Sequence, residues 1–377
     1  MMVTFKPLLT VHLYILYLLK YACSENVTDS DALTVNFAIV IFRHGERSPG
    51  ALYPKDPHQN FTWRGGFGQL TQRGMQQAYN LGLKSRQRYN QLLPSNDMAD
   101  EIYVRSSAKK RCLMTARHFL AGFLLADNGL QRSANRSQPI AINIIPKERD
   151  KLISQRAPCP KYDKMLKKIL MNPPENLKKF IDDNIELFKY ISKHTGKKVT
   201  SIHSGEQLFD ILSIEKAHGL DLPKWTEKIY PEKLLSLAER TMAVVTENDY
   251  MKKIKGGFLI TDVVNRMTLK SDNQLKPDRK LFIYSGHDTT LINVMRALNI
   301  TSQTTNKPDF ASSLHFEMHH NPNDKDEFEV KIFYRSDSEC ELKPIDIPKC
   351  DRPCSLIAFT KAVKHLIIRD YEQECII

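Results

Sequence analysis

The first residues in the chain that suggest chemistry follow an apolar run. Residues 37–42 are all apolar, and Arg43, His44 and Arg47 come soon after them, around a glycine. Guanidinium groups beside an imidazole disfavour its protonated form, which keeps His44 neutral and nucleophilic. The same groups bind a phosphate through paired hydrogen bonds. The stretch indicates attack of an imidazole on phosphorus; the alternative is an ordinary loop after a strand.

A second apolar run, residues 281–284, ends in a similar turn. Here His287 and Asp288 follow a pair of small residues. Such a pair often does no more than cap a helix, so by itself it predicts little. Combined with the first turn, it supplies a carboxyl group that could protonate a leaving alcohol.

A third candidate for anion binding lies at the start of a predicted helix. Residues 101–105 have the pattern of a short strand, and two serines then precede a helix predicted over roughly 108–126. Arg111 falls in or near its first turn, where backbone amides already favour an anion. The alternative is a solvated arginine beside Lys109 and Lys110.

The elements that must position these groups follow from the apolar pattern. Both apolar runs are expected to be strands buried on both faces of a sheet, with their reactive turns at its carboxyl edge. Between about 150 and 270, strand-like runs give way to helical periodicity rich in lysine. The helices predicted there are 161–171, 174–194, 205–217, 231–246 and 251–270.

The chain is therefore predicted to be an α/β protein with three layers, a mixed central sheet with helices on both faces, and an inserted all-helical lobe. The α/β catalytic domain is expected at 25–150 and 250–377, and the lobe at 151–249. Residues 314–318 and 328–334 are expected to form a closing antiparallel hairpin.

The N-terminus indicates export. Residues 1–24 have the features of a signal peptide, with Lys6 before an apolar run and small residues at the end. An uncleaved anchor is the alternative, but the apolar run is short for a membrane span. We expect a secreted glycoprotein without a membrane anchor. The sequons are Asn26, Asn60, Asn135 and Asn299.

The formal net charge of the 377 residues is +12. Such a surplus suits an anionic small substrate, a membrane headgroup, a glycosaminoglycan or a nucleic acid, but an evenly solvated basic surface explains it as well. No run of five lysines or arginines occurs, and no zinc-finger or RNA-binding signature is present. We therefore expect no nucleic-acid partner.

Seven cysteines occur, and Cys23 would leave with the leader. In a secreted chain the remaining six are expected to form disulfides, with fifteen possible connectivities. The bend from Cys350 to Cys354 could close on itself. A metal site is the alternative, but no second close-spaced pair of cysteines supports it.

Taken together, these motifs resemble the metazoan histidine acid phosphatases, which include prostatic, lysosomal and insect venom enzymes. The similarity runs in order through nearly the whole mature chain and is weakest in the helical lobe. It is carried by Arg43 to Pro49, residues 66–71, residues 103–106 through Arg111, and residues 284–290. The resemblance implies the histidine phosphatase fold, which is like that of phosphoglycerate mutase.

The resemblance also implies a role for each candidate residue. His44 would carry the phosphoryl group, and Asp288 would protonate the leaving alcohol and then activate water. The residues implied to bind the phosphate oxygens are Arg43, Arg47, Arg111 and His287. Three guanidinium groups neutralise a phosphate without a metal. We therefore expect phosphate monoesters as substrates, no cofactor or metal, acidic working conditions and no effect of chelators.

Two further expectations come from the resemblance. Cys159 with Cys375, and Cys350 with Cys354, match two disulfides of the family, while a third family bridge has no cysteines here. Cys112 and Cys340 are left either paired with each other or free.

The chain is expected to act outside the cell, in lysosomes or as a venom or salivary gland product. It could act as a monomer or as a homodimer. The alternative function is a catalytically idle secreted binding protein of the same fold.

Overall fold

The computed structural model describes residues 34–94, 98–125, 140–321 and 324–377. Its strands are β1 (Val35–Arg43), β2 (Ile102–Ser107), β3 (Ile142–Ile145), β4 (Leu281–Gly286), β5 (Ser313–Asn321), β6 (Asp324–Arg335) and β7 (Lys343–Ile345). Its α-helices are α1 (Gln72–Arg88), α2 (Lys110–Leu125), α3 (Pro160–Met171), α4 (Glu175–Asp183), α5 (Ile185–Thr195), α6 (Ile202–Ala217), α7 (Glu232–Val244), α8 (Asp249–Lys252), α9 (Phe258–Ser271), α10 (Asp288–Ala297), α11 (Leu356–Ala362) and α12 (Tyr371–Glu374).

Within the described residues, the strands form one mixed sheet in the order β3-β2-β4-β1-β5-β6-β7. The strands β3, β2, β4 and β1 are parallel, whereas β5, β6 and β7 each run antiparallel to the preceding strand in that order. The predicted mixed sheet and the predicted hairpin of β5 and β6 are thus confirmed. The position of the site depends on one feature of this order: β1 and β4 are adjacent strands.

Strand β1 separates two hydrophobic cores. Phe37, Ile39 and Ile41 face a core that also contains side chains of α9, α10 and α11. The alternate residues, such as Val40 and Phe42, face a second core built with α1 and α2. Because successive side chains of a strand point to opposite faces, a continuous apolar run is needed where helices cover both. The predicted three-layer α/β architecture is confirmed.

The helices between β3 and α9 enclose a third core of their own, to which Leu212 and Leu237 contribute as fully buried side chains. Tyr53, from the loop after β1, also packs into this core. A disulfide joins Cys159 at its start to Cys375 near the C-terminus. The exact boundaries of a catalytic domain and an inserted lobe, at 151 and 249, stay predictions.

One predicted helix is divided in two. The sequence pattern predicted a single helix over 174–194, but α4 ends at Asp183 and α5 begins at Ile185. The side-chain amide of Asn184 donates to the carbonyl of Phe180 at 2.8 Å. Asparagine competes with the helix for backbone hydrogen bonds in this way, and the periodicity of apolar residues does not register it.

The cysteines settle several of the expectations. The pairs Cys159–Cys375 and Cys350–Cys354 are both formed. Cys112 is a buried free thiol, whereas Cys340 is disulfide-bonded, so these two do not pair with each other. The two places where the resemblance implies a third bridge, around 214–215 and 312–313, hold no cysteine.

Three further predictions from the sequence fall on residues outside the described part of the chain, namely the leader 1–24 and the sequons at Asn26 and Asn135. The sequons at Asn60 and Asn299 lie at exposed positions. In the part of the chain that is described, every helix is too short or too polar to cross a bilayer.

Candidate active site

The two reactive turns meet because β1 and β4 are paired in parallel and in register. Arg43, the last residue of β1, lies opposite Gly286, the last residue of β4. The backbone amide of His44 donates to the carbonyl of Gly286 at 3.0 Å. The rings of His44 and His287 are consequently 5.7 Å apart between centroids. The carboxyl edge of the sheet therefore holds the candidate residues together.

The turn after His44 is held close to the start of α1. A Cβ on Gly45 would lie 2.2 Å from the carbonyl oxygen of Gly74, and a Cβ on Gly74 would lie 2.0 Å from that of Glu46. Thr71 caps the helix by accepting from the amide of Gly74 at 3.0 Å. Glycine is required here for close approach of two backbones, which fixes the direction of the chain after His44.

His44 is buried, and its contacts define its reactive atom. Its Nδ1 lies 2.8 Å from the carbonyl of Gly45 and therefore carries a proton, which it donates. Its Nε2 accepts from Arg111 Nε at 2.9 Å. Burial first, and then the charges of Arg111 and Arg43, hold the pKa of His44 well below its usual value. The imidazole is thus neutral, with its lone pair on Nε2.

Arg43 is fully buried and bonded on several sides. Its Nη1 donates to the carbonyl of Pro308 at 2.7 Å, its Nη2 lies 2.9 Å from Asp288 Oδ2, and its guanidinium stacks 3.9 Å from the ring centroid of Phe310. Its Nε is buried without a hydrogen-bond partner among the described residues. A buried donor left unpaired is costly unless a ligand uses it.

Asp288 lies at the first position of α10. Burial would raise its pKa, but the charge of Arg43, followed by that of Lys307, holds the pKa far below the usual range. The carboxyl group is therefore ionised in the free protein. A proton donor needs a higher pKa, so the role that the resemblance implies for Asp288 requires the Arg43–Asp288 pair to loosen first.

Arg47 and Arg111 complete the group of cations. Arg47 Nη2 forms an ion pair with Asp210 Oδ2 at 2.9 Å, which joins the turn after β1 to helix α6. Arg111 is the second residue of α2, in the first turn as the sequence predicted, and its side chain reaches His44 rather than bulk solvent. All six candidate residues of the two turns and α2 thus lie around one point at the sheet edge.

His287 is held by residues that the sequence did not single out. Its Nε2 lies 2.9 Å from Ser107 Oγ, at the end of β2, and Ser107 in turn lies 3.2 Å from Ser154 Oγ. Burial, then the charge of Arg111, lowers the pKa of His287 to about 4. The ring is neutral over most of the acidic range and can donate one N–H to an oxygen of a ligand.

Sequence reasoning missed several residues of the site, and for most of them the sequence carries no signal. Asp210 belongs to a helix whose periodicity predicts only packing, and Pro308 and Phe310 belong to an irregular loop. Ser107 was read as a helix cap, yet it contacts His287. Among the described residues, no cluster of three or more His, Cys, Asp or Glu side chains has the arrangement of a metal site.

A pair of carboxyl groups lies beyond the cations, between the loop after β1 and α6. Asp56 and Glu215 are both buried. Both oxygens of Glu215 and Oδ2 of Asp56 would be unpaired if the two groups were ionised. Burial first, and then the neighbouring charge of Asp56, raises the pKa of Glu215 to about 8. A proton on Glu215 allows it to hydrogen-bond to Asp56.

This pair predicts a stability change with pH. The folded state holds the Glu215 proton more tightly than the unfolded state, whose pKa is 4.5. The stabilisation is complete below that value and is lost as the pH rises towards the folded pKa of about 8. Glu215→Gln keeps the hydrogen bond at every pH. We expect it to match the wild type in acid and to gain at least about 1 kcal/mol of unfolding free energy at neutral to mildly alkaline pH.

The measurement is the free energy of unfolding of the wild type and Glu215→Gln by chemical denaturation, from acid to mildly alkaline pH. Glu186→Gln, at a glutamate whose side chain is 84% exposed on α5, is the matched control and should follow the wild type. An equal decline of stability with pH in the wild type and Glu215→Gln would contradict the assignment.

The comparisons with known proteins agree with this geometry. Residues 34–335 match the model of the histidine phosphatase superfamily (branch 2). The chain belongs to this superfamily, and the sequence resemblance is confirmed.

Human lysosomal acid phosphatase is 32% identical over 350 residues, which cover 91% of this chain and 81% of the relative. Bovine prostatic acid phosphatase is 30% identical over 354 residues, which cover 92% and 89%. With such relatives along almost its whole length, the chain is an enzyme, an acid phosphatase. Its disulfides and these relatives fit a location outside the cell or in the lysosomal lumen.

Solved structures show the same fold. The phytase of Hafnia alvei in complex with myo-inositol hexakis sulphate superimposes with a TM-score of 0.67 at 20% identity, over 90% of this chain and 98% of that one. The phytase from D. castellii gives 0.62 at 17% identity, over 94% and 84%. The predicted fold class is confirmed.

Proposed function

We propose that this protein is a secreted acid phosphatase that hydrolyses phosphate monoesters through a phosphohistidine on His44, with Asp288 as proton donor. One observation carries the proposal. Each of three guanidinium groups at the sheet edge has an internal partner in the free protein: Arg43 has Asp288, Arg47 has Asp210 and Arg111 has His44. An entering phosphate can take the place of these partners.

The exchange prepares the nucleophile. In the free protein the lone pair of His44 Nε2 accepts from Arg111 Nε. Once the phosphate oxygens take this hydrogen bond, the lone pair is free to attack phosphorus. The Nδ1 proton, held by the carbonyl of Gly45, keeps the ring oriented and supports the positive charge that forms on it. In this step the N–P bond forms as the P–O bond to the leaving alcohol breaks.

The exchange also prepares the proton donor. A phosphate that binds Arg43 withdraws the cation that keeps Asp288 ionised, and its own negative charge raises the carboxyl pKa. Asp288 then accepts a proton in acid and gives it to the leaving oxygen. As a carboxylate it next removes a proton from the water that attacks the phosphohistidine, which releases phosphate and restores His44.

The proposal predicts a particular pH dependence. kcat/KM reports ionisations of the free enzyme and free substrate. Since the pKa of His44 lies well below 6.5, we expect no loss of kcat/KM for an aryl phosphate as the pH falls through that value. The measurement is a pH profile from neutrality down to about pH 4, corrected for the separately measured ionisation of the ester. A tenfold fall per pH unit that begins near 6.5 would contradict the neutral imidazole.

Secretion and glycosylation belong to the same proposal. The features of residues 1–24 and the exposed positions of Asn60 and Asn299 support entry into the secretory pathway. The competing function, an idle binding protein, is disfavoured because the chain retains every residue that the mechanism needs.

A further inference from the structure

The loop between α10 and β5, residues 298–312, forms a wall of the candidate site. Its Pro308 carbonyl accepts from Arg43, and the ring of Phe310 stacks on the same guanidinium. The Phe310 ring is also 5.9 Å from that of His44 between centroids. The residue before Pro308 is Lys307, to which the mechanism above gives no role.

Lys307 is fixed at its backbone. Its amide donates to Thr305 Oγ1 at 3.1 Å, and that hydroxyl donates to the Lys307 carbonyl at 3.3 Å. On its C-terminal side, Arg43 donates to the carbonyl of the next residue, Pro308. The Lys307 ammonium lies 5.1 Å from the ring centroid of Phe209 on α6. The side chain therefore extends from the wall of the site towards the helical segment that faces it.

The charges around Lys307 leave its ammonium without a direct counter-ion. The charged groups that influence the pKa of Lys307 are Arg43, Asp288, Asp210 and Asp309. Burial raises the pKa of Glu239 on α7, and the charge of Lys307 in turn acts against that effect. Asp288 and Asp210 are already paired with Arg43 and Arg47. Among the described residues, no carboxylate lies within ion-pair distance of the Lys307 ammonium. A half-buried cation in this position is available to a ligand.

In-line attack determines which part of a substrate reaches Lys307. His44 attacks phosphorus from one side, so the leaving oxygen lies on the opposite side, where Asp288 protonates it. Arg43 contacts both Asp288 and the carbonyl of Pro308, the residue after Lys307, so Lys307 lies on the same side of the site as Asp288 and its charge acts on that carboxylate. The organic part of the ester, attached to that oxygen, must therefore leave the site beside Lys307.

We propose that Lys307 binds an anionic group on the leaving alcohol, so that the enzyme prefers phosphate monoesters whose organic part carries a second phosphate or a carboxylate. The proposal rests on the mechanism above and adds a substrate class to it. The test below distinguishes this role from a second one, in which Lys307 only lowers the pKa of Asp288. In that case its loss would affect acidic and neutral esters equally.

The test uses two matched pairs of esters. One pair is phenyl phosphate and para-carboxyphenyl phosphate; the other is butyl phosphate and butanediol bisphosphate. For each pair, the acidic-to-neutral ratio of kcat/KM is measured in the wild type and in Lys307→Met. Comparison of the two ratios cancels the intrinsic reactivity of the esters and any general change in Asp288.

We expect the ratio to fall about tenfold in Lys307→Met for at least one pair, which corresponds to about 1.4 kcal/mol. A fall in the phenyl pair identifies a carboxylate as the bound anion, and a fall in the butyl pair identifies a second phosphate. Lys307→Arg should keep most of the preference, and Lys343→Met, at an exposed lysine on β7, should leave it unchanged. Ratios within about threefold of the wild type in both pairs would overturn the proposal.

Failure of this inference is distinguishable from failure of the proposed function. If Lys307→Met and the wild type hydrolyse phenyl phosphate alike and the ratios do not differ, only the anion site is wrong. If the folded wild type hydrolyses none of the four esters, the proposed function itself is wrong.

Discussion

Replacing His44 with alanine is expected to lower kcat/KM for an aryl phosphate at about pH 5 by at least ten-thousandfold, because the proposed mechanism uses His44 as its nucleophile. The imidazole Nε2 carries a lone pair that stays unprotonated because burial, and then the charges of the neighbouring guanidinium groups, lower the pKa of His44. The guanidinium groups remain in the variant, so binding of inorganic phosphate as an inhibitor should persist. A steady-state assay combined with phosphate inhibition separates these two outcomes.

The matched control is His365→Ala, at an exposed histidine near α11, which should keep wild-type activity. A second readout is the covalent state of the protein. Rapid denaturation during turnover, followed by peptide mass analysis at alkaline pH, should detect a phosphoryl group on the peptide that contains His44. Equal rates for the wild type and a folded His44→Ala would overturn the mechanism.

Asp288→Asn is expected to have the second largest effect, and the effect should depend on the leaving group. General acid catalysis contributes about 10² to 10⁴-fold. An alkyl phosphate, whose alkoxide leaves poorly, should lose the full amount, whereas a nitrophenyl phosphate should lose far less in the first step. Since the second step also needs Asp288 as a base, nitrophenol should appear as a burst of one equivalent, followed by slow turnover.

The control for this variant is Asp249→Asn, at a carboxylate whose side chain is 96% exposed on the surface. It should show no burst and no dependence on the leaving group beyond that of the wild type. An equal loss for alkyl and aryl esters in Asp288→Asn, with no burst, would assign Asp288 to binding through Arg43 and not to proton transfer.

The ion pairs of the free protein give these predictions a common physical basis. Arg43–Asp288 and Arg47–Asp210 are mostly shielded from solvent, so they are costly to leave unpaired. In the proposed mechanism they keep the cations in place before substrate arrives and release them to the phosphate oxygens. The proposed site is thus organised in advance around the oxygens that it would bind.

The sequence predicted much of the site correctly in position. Continuous apolar runs identified β1 and β4, and the residues directly after each run are those that meet at the sheet edge. These signals could be read from the sequence because each lies within a few consecutive residues: a continuous apolar run, then a glycine, then charged side chains. The roles of His44, Asp288 and the three arginines are still predictions for experiment.

Other parts of the site have no local signature. Asp210 contacts Arg47 across 163 positions of the sequence, and the buried pair of Asp56 and Glu215 joins a loop to a distant helix. Each of these residues has the pattern of an ordinary solvated or packing position in its own segment. Their pairing depends on how α6 packs against the loop after β1, which no period along the chain specifies.

The amino-acid sequence by itself determined the α/β architecture and the residue types of the candidate site. These depend on composition and short-range order, which a chain carries whether folded or not. The two disulfide pairings came instead from the resemblance to a known family, because the cysteines alone allow fifteen connectivities. The tertiary structure alone decided which partner each cation has, that Arg43 lowers the pKa of Asp288, and that Lys307 belongs to the same wall of the site as Pro308 and Phe310. Ion pairing, burial and pKa depend on distances between remote segments, and only the folded chain sets those distances.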